Sequence, residues 1–226
     1  LPFLTMWLII RVKAFLAGRK GPGPLQPLRD LVRLLKKGAV YSRTVTPLFR
    51  FAPTGGLAAV VMAGALVPLD GQQSVFGFNG DFVLFICLLA AARFLLIAGA
   101  LETGSSFGGM GASREASFAV FVEPAFFLLA GAMVLGSGQT GFAGMLASFG
   151  GQAVLATLAG LVFFIMLLVE GARVPVDDPT THLELTMIHE AMILDYSGPD
   201  LAFIQYAAAL KTVIVASLVA LVAIPP

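Results

Sequence analysis

Charge is scarce in this chain. Of its 226 residues, 12% are Asp, Glu, Lys or Arg, against about 25% in an ordinary soluble domain. Hydrophobic residues make up 58%, and mean hydropathy is +0.92. That balance excludes a soluble globular fold and predicts an integral membrane protein. Cysteine is almost absent: Cys87 stands alone inside an apolar run, which excludes an internal disulfide and an iron–sulfur cluster held by several thiolates of this chain. Histidine is limited to His182 and His189. On a helix their spacing puts them about 10 Å apart along the axis, too far to share a zinc ion. Neither H-E-x-x-H nor a phosphate-binding loop is present, and the sequence predicts no catalytic residue, no metal site and no nucleic-acid partner.

What the chain has instead is long apolar runs. Five of them, at residues 51–69, 82–101, 116–135, 152–169 and 201–224, come near the ~20 residues that a helix needs to cross about 30 Å of hydrocarbon. The fold predicted is an all-α polytopic membrane protein, a bundle of transmembrane helices forming one membrane domain over residues 1–226. An amphipathic surface helix and a polar loop with a short helix complete it. The apolar run from Leu1 to Ile10 is too short to span, so the chain is read as beginning inside a helix, with residues expected on both sides of it.

Basic residues are concentrated between residues 11 and 50, which hold ten of the fourteen. Gly18, Gly21, Pro22, Gly23 and Pro24 predict irregular structure from Arg11 to Pro24. A helix then starts near Pro27, with Leu28, Leu31, Val32 and Leu35 on one face and Arg29, Arg33 and Lys36 on the other. It is suited to lie among the headgroups of a lipid bilayer. The segments 70–81 and 136–151 contain no Lys or Arg, whereas 11–50, 102–115 and 170–200 do. Positive-inside counting makes these last three loops cytoplasmic and puts the amino terminus outside.

Three ionisable residues fall inside apolar runs: Arg93, Glu123 and Lys211. An unpaired charge there costs on the order of 3 kcal/mol, which makes each a functional candidate. Counted from the inner ends of their helices, Arg93 and Glu123 lie at one depth, about 10–12 Å, on neighbouring antiparallel helices, and are expected to pair. Pro124 removes a backbone bond beside Glu123 and favours a local polar pocket. Lys211 falls near the midplane. Glu102 and Glu170 stand at inner helix ends as groups that take up protons. The five together predict a graded proton path, with Glu123 the principal carrier and Arg93 its modulator. The alternative at this point is a static Arg93–Glu123 pair with two interfacial glutamates.

The stretch from Glu170 to Gly198 gathers both histidines and six of the thirteen acidic residues. Pro175 and Pro179 predict a rigid turn, and Thr181 with Glu184 predicts the capped start of a short helix running to about Asp195. With the 102–115 loop it predicts a docking and coupling surface made of Arg114, Glu115, Arg173, Asp177, Asp178, His182, Glu184, His189, Glu190 and Asp195.

Several co-linear motifs resemble one family: Arg19-Lys20-Gly21-Pro22 with Leu25-Gln26-Pro27, Gly111-Ala112-Ser113-Arg114 followed by Glu123, Glu170 with Arg173, Pro175 and Asp177, and Tyr196-Ser197-Gly198. They are similar to the subunit 1 (H subunit) family of respiratory complex I. Leu101-Glu102-Thr103-Gly104-Ser105, Glu115 and Val122-Glu123-Pro124 look more like its branch in energy-converting nickel–iron hydrogenases, the formate hydrogenlyase and hydrogenase-4 type. Quinone-reducing members carry P-E-x-E-S-E-L where this chain has Pro179 followed by Thr180, His182 and Glu184.

The resemblance implies eight transmembrane helices in the whole subunit and a place in the cytoplasmic membrane of a bacterium or archaeon. It implies partners: hydrogenase large and small subunits, an iron–sulfur subunit and antiporter-like membrane subunits. Iron–sulfur clusters and a nickel–iron centre would then lie in those partners and no cofactor in this chain. The implied function is membrane anchor and coupling subunit of an oxidoreductase complex, linking electron transfer to translocation of H⁺ or Na⁺. A quinone-reducing complex, with quinone bordering these loops, is the alternative within the family. A passive anchor without transport is the alternative outside it, and an autonomous transporter ranks below both because no internal repeat is found.

Overall fold

A computed structural model of the chain describes residues 2–68, 74–177 and 187–223. Among these, five helices are long and apolar enough to cross a membrane. They are α3 (Pro47–Leu66), α4 (Asp81–Glu102), α5 (Ser106–Ser137), α7 (Ala153–Glu170) and α9 (Gly198–Ala223). Every apolar run read from the sequence is therefore a helix. The chain is an all-helical, multi-pass membrane protein, and each long helix packs against its neighbours through aliphatic and aromatic residues while its remaining side faces outward.

The smaller elements differ from expectation. The first helix, α1 (Pro2–Leu16), runs past Ile10 through Arg11 and Lys13, because nothing before Gly18 breaks it. Arg11 sits over the Trp7 ring at 5.3 Å, and the Trp7 indole N–H donates to the Pro22 carbonyl, folding the Gly/Pro segment back along the helix. The amphipathic helix α2 (Gln26–Leu35) exposes Leu25, Leu28, Val32 and Leu35. The 136–151 segment carries a short helix, α6 (Phe142–Ala147), and one 3-10 turn, Ser148–Gly151. Its first turn is fixed by Asp81, buried at the start of α4, whose carboxylate accepts from the Phe142 N–H at 2.7 Å.

Two corrections bear on function. Residues 102–115, expected as a loop, are helix from Ser106 onward, and only Thr103, Gly104 and Ser105 connect α4 to α5. Two glycines of this stretch, Gly108 and Gly111, serve close packing. A Cβ on Gly111 would lie 2.8 Å from the Ile188 carbonyl oxygen, so glycine there lets α5 meet α8 (His189–Ile193) backbone to side chain. The short helix of the polar loop is also shorter than expected. It starts at His189, and the Thr181–Glu184 capping pair lies outside the described residues.

The motif Tyr196-Ser197-Gly198 has a mechanical explanation. Tyr196 stacks flat on Phe49 with ring centroids 4.1 Å apart. The Ser197 hydroxyl accepts from the Val40 N–H at 3.0 Å, and Tyr41 donates to Asp200 at 2.8 Å. Gly198 has φ +56°, and a Cβ there would stand 2.8 Å from the Gly38 carbonyl oxygen. The segment after α2 is thereby clamped to the start of α9. The hydrogen bond to Asp200 and partial burial raise the Tyr41 hydroxyl above its ordinary pKa, which keeps it a donor.

Candidate functional site

Arg93 is the hub of the interior. Its residue is 4% exposed, and its guanidinium meets three carboxylates. Nη1 donates to Glu123 at 2.9 Å, Nη2 donates to Glu170, and Nε lies 3.0 Å from Glu115. Lys211 approaches the other oxygen of Glu170 at 2.7 Å. The Glu115 and Lys211 contacts lack the alignment of hydrogen bonds, so they hold by charge alone. The five side chains come from four helices, α4, α5, α7 and α9.

Helix lengths explain how they meet. Lys211 lies thirteen residues into α9, about 20 Å along its axis, and Arg93 lies nine residues before the end of α4, about 14 Å. Glu170, however, is the last residue of α7. For these to touch, the end of α7 must sit well below the ends of its neighbours. The recess above it is filled by the polar segment from Gly171 and by α8.

A cavity of about 310 Å³ remains in that recess, bordered by α1, α9 and the polar segment. Glu170, Arg173, Asp177, His189, Glu190 and Lys211 line it. A second space of about 50 Å³ reaches Arg93 and Glu115 and shares Glu170, His189 and Lys211 with the first. Polar walls of this kind suit water.

The predicted residues therefore fall into three sets. Arg93, Glu123, Glu170 and Lys211 are brought together. Glu115, assigned from sequence to the docking surface, joins them, because its position is helical and faces Arg93. Glu102 does not join them. Its carboxylate accepts from the Thr46 hydroxyl at 2.6 Å and the Phe49 N–H at 3.0 Å, so it satisfies free donors at the start of α3. Glu170 is likewise no interfacial group: its side chain is 1% exposed, against 16% for Glu115 and 36% for Glu123.

Of the loop residues, Asp177 is buried and accepts from the Ile188 and His189 N–H groups at 3.3 and 3.0 Å, capping α8. Arg114 donates to the Met187 carbonyl at 3.3 Å. His189 faces both cavities; burial, and then the charge of Lys211, lower it from 6.5 to about 4, so it is neutral at pH 7. Glu190 and Asp195 are exposed, whereas Asp178, His182 and Glu184 lie outside the described residues. Asp81 and Asp200, both buried, were not singled out by sequence; their one visible signal is an acidic residue in the first turn of a long apolar helix. No group of three His, Cys, Asp or Glu side chains that could hold a metal occurs among the described residues.

Known proteins are similar to this chain in sequence or in fold. Hydrogenase-4 component C of Escherichia coli K12 is 32% identical over 92% of this chain and 66% of its own length. Formate hydrogenlyase subunit 4 of the same organism is 28% identical over 94% of this chain and 70% of its own length. The chain thus spans about two thirds of these relatives. A solved chain of the membrane-bound sulfane sulfur reductase, an archaeal respiratory membrane complex, superposes with a TM-score of 0.77 at 19% identity, covering 96% of this chain and 71% of that one, which shows a shared fold. A family model described as NADH dehydrogenase matches residues 1–224, and the chain belongs to that family as a subunit 1 homologue.

Proposed function

We propose that this chain is the membrane anchor and coupling subunit of a multi-subunit hydrogenase complex of the formate hydrogenlyase type. In this reading, docked partners carry the iron–sulfur clusters and the nickel–iron centre, and antiporter-like membrane subunits carry the ions. The basic loops face the cytoplasm and the amino terminus faces outward. Similarity to hydrogenase-4 component C and formate hydrogenlyase subunit 4 supports the class of complex.

The observation that carries the coupling role is the five-membered charge cluster. Three carboxylates face two cations, so with all five ionised it holds one excess negative charge in a low-dielectric interior. A proton or a Na⁺ ion relieves that excess, and losing the ion restores it. Arg93 contacts all three carboxylates, so it fixes them while the ion moves among them. The recess supplies the way in, past Arg173, Asp177 and His189. Movement of the segment that Asp177 joins to α8 and Arg114 joins to α5 is then felt at Glu170 through His189 and Lys211. Glu123, the most exposed of the three carboxylates, is the exit toward a neighbouring membrane subunit.

The test is Glu123→Gln in the complex reconstituted into proteoliposomes. Hydrogen evolution from a low-potential donor and assembly should persist while turnover-linked ion uptake is lost. Unchanged uptake would refute the role of Glu123, and a wild-type complex that evolves hydrogen without uptake would make the chain a passive anchor. Quinone reduction by a nickel-free preparation would move the assignment to the quinone-reducing branch.

A further inference from the structure

The cluster opens toward the recess through polar space, but its other side is closed by aromatic rings. Below Arg93, Glu123 and Glu170 lies a space of only about 10 Å³, walled by apolar side chains and floored by Phe126. On the far side of the same ring lies another space of about 10 Å³, lined by Phe82, Met133, Phe142 and Phe163 among others. Among the described residues, Phe126 alone borders both. Its ring packs on Phe85 at 5.9 Å and on Phe163 at 5.7 Å, and Phe85 packs on Phe142 at 5.4 Å. All four rings are 3% exposed or less. They come from α4, α5, α6 and α7, so the layer closes the interior between these helices.

Beyond the layer stands a buried acid. Asp81 lies twelve residues, about 18 Å of helix, from Arg93 on α4, and its carboxylate holds the Phe142 N–H. Half-buried Ser74, at the same end of the molecule, has its hydroxyl oxygen buried with no hydrogen-bond partner among the described residues. Polar groups capable of passing a proton thus exist on both sides, and apolar spaces at the limit of one water molecule separate them.

We propose that Phe126 is a septum: it breaks the file of water that would otherwise join the charge cluster to Asp81, so that ions reaching the cluster cannot leak straight across the membrane through this chain. Relative to the reading above, which brings ions to the cluster, the septum accounts for what stops them there. Phe163 and Phe85 hold the ring in place, and Phe142 ties the layer to Asp81 by its backbone.

The test measures passive proton flux without donor, under an imposed membrane potential, in liposomes containing the purified complex. An apolar cavity of this size stays dry, so the informative change is Phe126→Ser, which removes the ring and adds a hydroxyl that can hold water. The expected result is a severalfold rise in passive flux over wild type, reversed when Glu123→Gln is added, with Phe126→Leu tight. If Phe126→Ser prevents assembly, Phe163→Ser opens the same layer and is expected to leak as well. Wild-type tightness in an assembled serine variant overturns the septum. Because no turnover is needed, that outcome is separate from a failure of coupled uptake in wild type, which would strike the coupling role alone.

Discussion

Lys211→Met is the perturbation that most directly asks whether charge balance organises the cluster. At 2.7 Å the gross attraction between Lys211 and Glu170 is about 6 kcal/mol at an effective dielectric of ~20. Desolvation offsets part of it, and removing one partner of such a buried pair costs about 3–5 kcal/mol. The substitution also raises the excess negative charge from one to two, because Arg93 then faces three carboxylates alone. A second substitution, Glu170→Gln, returns the excess to one. The double variant is therefore expected to be more stable than Lys211→Met, although it carries one more change in the interior.

The assay is the temperature at which half the complex is lost from the monodisperse peak in mild detergent, compared at one heating rate because such unfolding is irreversible. If Glu170→Gln lowers the stability of Lys211→Met further, net charge does not govern the cluster and the reasoning fails. A double variant whose shift in that temperature is merely the sum of the two single shifts would likewise show that the residues act independently. Coupled ion uptake should not return in the double variant, since balance is restored without the central carboxylate.

Two further tests concern the surroundings. His189 is held near 4 against an ordinary 6.5, so between those values an unfolded chain binds a proton that the folded chain refuses; stability is intact above pH 6.5 and falls as pH drops through that window. His189→Gln should flatten that fall in thermal scans from pH 7.5 to 4.5, and parallel slopes would refute the assignment. The Tyr196 hydroxyl is buried without a hydrogen-bond partner, while its ring stacks on Phe49. Tyr196→Phe should therefore be neutral or stabilising and Tyr196→Ala should cost about 3–5 kcal/mol, with a loss on Tyr196→Phe counting against the geometry.

Much of this was legible before the structure. The five spans follow from the length of the apolar runs, and the Arg93–Glu123 contact follows from equal depth on adjacent antiparallel helices, because helix rise is fixed. Glu115 was not legible, since its position just before the apolar run at 116 reads as loop, whereas α5 begins nine residues earlier at Ser106. Nor was the use of Glu102: a carboxylate at a helix end reads as solvated, and nothing local says that Thr46 and Phe49 stand opposite it. The burial of Glu170 depends on where α7 ends relative to its neighbours, a relation between helices distant in sequence.

That relation is the physical root of the site. α7 has 18 residues, close to the minimum for spanning, whereas α5 has 32 and α9 has 26. If α7 reached the level where α9 begins, Glu170 would be solvated there and Lys211 would lie unpaired in the interior, at a cost of several kcal/mol. Because α7 stops short, its terminal carboxylate meets both buried cations, and its carbonyls at Leu167, Leu168 and Val169 accept from the Gly171, Arg173 and Ala172 N–H groups of the segment that follows. Asp177, Arg114 and the close approach at Gly111 hold that backbone in place. One short helix thus produces the charge cluster, the cavity above it and the polar loop between them, so lengthening α7 by one turn before Glu170 should remove all three together.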